Sequence, residues 1–255
     1  MKNHIIYIAI FSNVLLFNFN VYSKEIITFV TGEYPPYVSE KLNNFGFYSE
    51  IIMAVCKEAD IDCKIDFYPW VRAEKLVESG TVFAAFPYRF NTGRRKKYFL
   101  SEAIFCGRSK LFYYKKSNNG KDFKFDKISD LNKYTIGFLR GASYKNALER
   151  NNINFEESND NNSLLWKLKS GRIDIAIAEE LVFENSIKEN FNKEILNFKS
   201  LINDFEEKNN NGLIFSKQFK NSKIILKKFN NSLQKIRKNG VYNKIIGNKL
   251  IKYCN

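Results

Sequence analysis

Strand-like and helix-like segments alternate along nearly the whole chain, and this alternation restricts the fold to an α/β architecture. Glu25 to Thr31 is rich in β-formers, and Phe47, Ile51 and Val55 recur at i, i+4 and i+8, the spacing of one helix face. Lys64 to Tyr68 alternates Ile65 and Phe67 as a strand. Trp70 to Ser79 reads as a helix with Gly80 as its stop, and Thr81 to Phe86 as a buried strand. Further on, Tyr134 to Phe138 reads as a strand, and Ser143 as the cap of a helix running to Arg150. Leu164 to Lys169 is a short helix stopped by Gly171, and Ile173 to Ala178 is strongly β. A strand at Leu213 to Phe215 precedes an amphipathic helix on Ile225, Phe229, Leu233 and Ile236, ended by Gly240.

Two polar stretches without periodicity interrupt this pattern. KKSNNGKDFKFDK at residues 115–127 sets a boundary near Leu111 to Lys116, and EEKNNNG at 206–212 marks a second crossing. With 44% apolar residues the chain has material for a substantial core.

The first 23 residues read as an export signal. Lys2 supplies the charged start, Ile5 to Phe17 is a mostly apolar run, and Val21 and Ser23 place small residues before a cut at Lys24. The run spans 13 residues, interrupted by Ser12 and Asn13, too short for the roughly 20 of a membrane-spanning helix. The only histidine, His4, lies inside this segment, so the mature chain has none. That excludes Ser-His-Asp and Cys-His nucleophilic sites and every zinc site needing imidazole. No cofactor and no metal are expected. The formal charge is +14, or +13 once the signal's single Lys is gone, with Lys dispersed among Asn in the manner of a solvated surface.

Four cysteines in an oxidising compartment allow three pairings. Cys56 sits late in an expected helix and Cys63 opens an expected strand, so a short loop can bring their Cα atoms within about 4.4 to 6.8 Å. Cys56 with Cys63 is the favoured bridge; Cys106 and Cys254 then pair by elimination, with two free thiols as the alternative.

YPPY (Tyr34 to Tyr37), GFYSEIIMAVC (Gly46 to Cys56), RRKKYFLS (Arg94 to Ser101), SDLNKYTIGFLRGASY (Ser129 to Tyr144), LKSGRIDIAIAE (Leu168 to Glu179) and KNGVYNKI (Lys238 to Ile245) follow one another in order. In order and spacing they resemble family 3 bacterial extracellular solute-binding proteins, the polar amino-acid-type receptors of ABC importers. YPWVRAEKLVESG (Tyr68 to Gly80), preceded by a cysteine pair, is similar to one subgroup of that family. The resemblance implies a two-lobe periplasmic-binding-protein fold, with two strand crossings as a hinge and ligand held between the lobes. Lobe 1 would comprise residues 24–112 and 212–255, and lobe 2 residues 113–211.

The same resemblance assigns site residues. Tyr34 and Trp70 match two aromatic positions that sandwich the ligand's side chain. Arg94 matches the arginine that clamps an α-carboxylate, where a planar fork makes two charge-assisted hydrogen bonds. Counting back from Ser101 selects Arg94, whereas counting forward from Phe83 selects Arg95. Gly141, Ala142 and Ser143 match a loop that offers backbone N–H groups to the same carboxylate ahead of a helix. Glu179 stands where the family has an aspartate that receives the α-amino group; Glu reaches about one methylene further. Asp174 matches a structural position. Phe83 replaces an acid, and Pro87-Tyr88-Arg89 replaces a small-residue loop, bringing Tyr88 and Arg89 to the site; Arg89 either adds a cation to the cleft or points to solvent.

These readings imply a monomeric periplasmic protein that captures an amino acid or related carboxylate and hands it to an importer permease, with no nucleic-acid partner and no membrane embedding. One alternative is a dehydratase-like enzyme on the same scaffold, using Glu179 or Glu180 as general acid or base. Another is an exported sensor or polyanion-binding protein.

Overall fold

The computed structural model describes residues 26–118, 120, 122–140, 142, 144–202 and 209–247. The chain begins with β1 (Ile27–Thr31), α1 (Phe47–Glu58), β2 (Cys63–Phe67), α2 (Trp70–Glu78), β3 (Ala84–Arg89), α3 (Thr92–Lys97), β4 (Phe99–Leu100) and β5 (Phe105–Gly107). Next come β6 (Ser109–Tyr114), β7 (Ile136–Leu139), α4 (Lys145–Arg150), β8 (Phe155–Ser158), α5 (Asn161–Ser170), β9 (Ile175–Glu179), α6 (Glu180–Phe191) and β10 (Phe198–Ile202). Then β11 (Asn209–Phe215), α7 (Ser222–Lys238) and α8 (Val241–Ile246) follow.

These elements form two sheets, one ordered β2-β1-β3-β11-β4 with β5 also on β11, the other ordered β10-β6-β9-β7-β8. In the first, β1 runs parallel to β2 and β3, while β11 is antiparallel to β3. In the second, β7 runs parallel to β8 and β9. Alternate strand residues serve opposite faces, which each sheet buries under helices. Phe29 and Ala84 join the core made with α1, α7 and α8 through Ile51, Val55 and Leu233, whereas Val30 and Ala85 pack with Ala73 and Val77 of α2. In the second sheet, Ala176 and Ala178 meet Leu164 of α5 and Phe183 of α6, while Ile175 and Ile177 pack with Leu131 and Leu148.

The expected periodicities are realised: Phe47, Ile51 and Val55 are buried on α1, and Gly80 and Gly171 follow their helices at φ +75° and +74°, where glycine is unstrained. Two strands differ. The strand expected at Thr81 to Phe86 lies at Ala84–Arg89, and the one expected at Leu213 to Phe215 begins at Asn209. Pro87 and the Asn run read as loop because both disfavour strands; long-range pairing of β11 with β3 and β5 overrides that local preference. The helix expected from Ser143 starts at Lys145.

The passage between sheets also differs from the polar boundary. β5 belongs to the first sheet and β6 to the second, so the chain changes sheet at Arg108, ahead of 112. The polar stretch at 115–127 follows β6 inside the second unit. A crossing made by one residue between buried strands leaves no compositional mark. On the return, β11 is already in the first sheet at Asn209. Glu180 braces the first crossing: Arg108 Nε lies 2.9 Å and Lys110 Nζ 2.6 Å from its carboxylate.

Cys56 and Cys63 form a disulfide with Cα atoms 6.2 Å apart. The pairing of Cys106 with Cys254 falls on a residue outside the described ones, as does the signal segment. The bridged cysteines are only 7 apart in sequence, so the chain-entropy argument gives at most about 2 to 3 kcal/mol. Replacing both by Ser is expected to lower the urea midpoint accordingly while leaving ligand affinity within twofold; loss of affinity would mean that the bridge shapes the cleft.

Candidate functional site

Parallel strands present their carboxyl ends, and the loops leaving them, to one side of a sheet. Here the ends of β1, β2 and β3 face those of β7, β8 and β9 across a cleft of about 900 Å³. Tyr34, Trp70, Tyr88, Arg89, Arg94 and Glu179 all line it, so candidates spread from residue 34 to residue 179 converge. Ala142 lines it as well, while Gly141 and Ser143 lie outside the described residues. Arg95 is not in the lining; its guanidinium sits 5.8 Å from the Phe90 ring.

The aromatic candidates form one wall. Tyr34 meets Trp70 edge to face with centroids 6.2 Å apart, and Trp70 meets Tyr88 in the same way at 5.6 Å. A sandwich needs a gap between two rings, and Tyr34 and Trp70 have none between them. Trp70 can lie there because residue 32 is glycine; a β-carbon at Gly32 would come 2.7 Å from the indole. Tyr88 Oη donates to Trp70 O at 3.2 Å, and burial pushes its phenol well above the ordinary value.

Arg94 is positioned by its helix start. Asn91 caps α3 by accepting from Arg94 N–H at 2.8 Å. The guanidinium then lies 4.7 Å over the Tyr88 ring, Nη1 donates to Arg89 O at 3.0 Å, and Nη2 is 3.6 Å from Glu74 Oε2. Its Nε is buried without a hydrogen-bond partner, a costly state for a charged donor.

Glu179 sits at the end of β9, where it is the cap of α6. Its Oε2 accepts from Val182 N–H at 2.9 Å and its Oε1 from Tyr37 Oη at 2.6 Å. Tyr37 stacks on Phe105 in the first core, so this hydrogen bond ties the two sheet units together. Burial raises the Glu179 carboxyl to about 7, against the opposing hydrogen bonds from Tyr37 and Val182. Burial also acts on neighbouring Glu180, but Arg108 and Lys110 hold it below the usual range. Asp174 accepts from Thr135 N–H at 2.8 Å and is absent from the lining, in keeping with a structural role.

Sequence reasoning missed Tyr37, Glu74 and Asp160. Tyr37 closes the YPPY motif; Glu74 follows Trp70 by one helical turn and shares its face; Asp160 caps α5 through Ser163 N–H, 2.7 Å away. The carboxylates Glu33, Glu40, Glu74, Asp160 and Glu179 outnumber Arg89, Arg94 and Arg140 along the cleft. Its lining is therefore acidic in formal charge, although the chain is +14.

The chain belongs to the bacterial extracellular solute-binding proteins, family 3, matched over residues 26–248. The arginine-binding periplasmic protein of Mannheimia haemolytica is 28% identical over 220 residues, covering 83% of this chain and 85% of that one. Among solved structures, an amino acid ABC transporter substrate-binding protein from Streptococcus pneumoniae bound to L-arginine superposes with a TM-score of 0.69 at 19% identity, covering 88% and 94% of the two chains. A histidine kinase sensor domain with similarity to periplasmic binding proteins reaches 0.74 at 16% identity, covering 89% and 98%. At these identities the structures establish the fold alone. The family and its curated relative are binding proteins, and among the described residues no helix is long and apolar enough to cross a membrane.

Proposed function

We propose that the protein is a periplasmic receptor that holds one amino acid in the cleft and delivers it to an ABC importer permease, working as a monomer, without catalysis and without a cofactor. Residues 26–107 with 209–247 would form one lobe and residues 109–202 the other, closing about the two crossings. The observation that carries this reading is Arg94, a planar cation that lines the cleft with its orientation fixed by the Asn91 cap, the Arg89 carbonyl and the Tyr88 ring. The ligand's α-carboxylate pairs with the Arg94 guanidinium. Its side chain lies along the Tyr34–Trp70–Tyr88 wall, and Glu179 meets the α-amino group. The carboxylates Glu33, Glu40 and Glu74 favour a cationic side chain, a choice in keeping with what the Mannheimia relative binds.

The enzymatic alternative has less behind it. Glu180 is engaged by Arg108 and Lys110, which hold it below the usual carboxylate range, and it is absent from the cleft lining.

A thermal-shift screen of the mature chain against the amino acids, polyamines and dicarboxylates tests the proposal. Binding to the native state alone adds about 2.7 kcal/mol at a hundredfold excess over Kd. Arginine or lysine is expected to give the largest shift. Stabilisation by polyamines or dicarboxylates, with none by any amino acid, would overturn it.

A further inference from the structure

The basic run Arg94 to Lys97 places only Arg94 in the cleft, and the fold gathers the lysines that follow it with others far along the chain. Lys217 Nζ donates to Lys96 O at 2.6 Å, and the Nζ atoms of Lys217 and Lys223 lie 5.6 and 5.3 Å from the Phe99 ring centroid. Lys97 and Lys217 flank one shallow recess. From Lys223 the cationic row continues one turn along α7 to Lys227 and Lys228. All six lysines are solvent-exposed. Among the described residues only Lys97 has a carboxylate within reach, Glu78 at 3.2 Å, and α7 contains no acid at all. Ile224, 69% exposed, stands on the same side of the helix, three and four residues before Lys227 and Lys228.

We propose that this face, built from α3, residues 216–221 and the first turns of α7, docks the protein on an anionic lipid bilayer. Unpaired lysines in a group repel one another, and a sheet of lipid phosphates relieves that repulsion. An exposed aliphatic side chain among them suits the headgroup boundary, the combination of cations and apolar contact that interfacial helices use. Nucleic acid fits less well: Phe99 lies half-buried beneath two lysines, and the face presents no exposed ring on which a base can stack. Adsorption there would concentrate a receptor close to a membrane.

The test is co-sedimentation of the full mature chain with phosphatidylcholine vesicles with and without phosphatidylglycerol, at low and at physiological salt. Binding is expected only to the phosphatidylglycerol vesicles and is expected to weaken with salt. The triple variant Lys217→Glu, Lys223→Glu, Lys227→Glu is expected to lose at least tenfold, and Lys→Gln at the same positions to lose in the same direction. A control of equal net charge, Lys133→Glu, Lys188→Glu, Lys193→Glu, is expected to lose less than threefold. Equal losses in the two triple variants, or wild-type binding to polyphosphate or DNA with none to the vesicles, would overturn the proposal.

Discussion

Arg94→Ala is expected to weaken amino-acid binding by about 2 to 5 kcal/mol, roughly thirtyfold to several thousandfold, because the carboxylate is left desolvated without its charged partner. Arg94 is held by the Asn91 cap, the Arg89 carbonyl and the Tyr88 ring, so its fork is fixed before ligand arrives. Arg94→Lys keeps the charge and loses the planar fork, and should recover only part of the affinity. Trp70→Ala removes one ring of the wall and should cost about 1 to 2 kcal/mol. Arg95→Ala should bind like the wild type, since Arg95 lies off the lining. Titration calorimetry on the four variants checks the order. Wild-type affinity in Arg94→Ala with loss in Arg95→Ala would reassign the clamp.

The second large effect concerns pH. Burial raises the Glu179 carboxyl from 4.5 to about 7 in the folded protein. The native state therefore binds this proton more tightly than the unfolded chain does, so its contribution is fully present below pH 4.5 and is lost as pH rises through 7. At 1.36 kcal/mol per pKa unit the loss is on the order of 3 kcal/mol. The groups facing Glu179 are Tyr37, whose phenol is pushed far up by burial, together with Glu180 and Glu184. Glu179→Gln can still accept from Val182 N–H and donate to Tyr37, with no proton to exchange. Urea melts at pH 5 and pH 8 should show the wild type losing about 2.5 kcal/mol more than Glu179→Gln over that interval. Parallel pH profiles would show that Glu179 keeps an ordinary carboxylate pKa.

How much of this was legible in the sequence follows from the range of the interactions involved. The helix of Phe47, Ile51 and Val55 and the favoured Cys56–Cys63 bridge are local, so residue spacing and the expected helix-to-strand loop pointed to them. Tyr34, Trp70 and Arg94 were found through short motifs whose order matched a family. The strand extent of Pro87 to Arg89 and of Asn209 to Asn211 was hidden, because pairing across more than a hundred residues creates those strands against their local preference. The Arg108 crossing had no polar signature. The Tyr37–Glu179 bond joins residues 142 apart, and no motif encodes a partner at that distance. Lysines that read as dispersed become one face only when α3 and α7 are brought together around Phe99.

The central claim is that the cleft recognises an amino acid through its α-carboxylate at Arg94. Calorimetric comparison of the amino acid that stabilises the protein most with its decarboxylated amine, for arginine agmatine, tests it most directly. The account predicts that the amine binds more than a hundredfold weaker to the wild type, and that Arg94→Ala narrows this ratio to less than tenfold. Equal affinity of the wild type for the two compounds would contradict it.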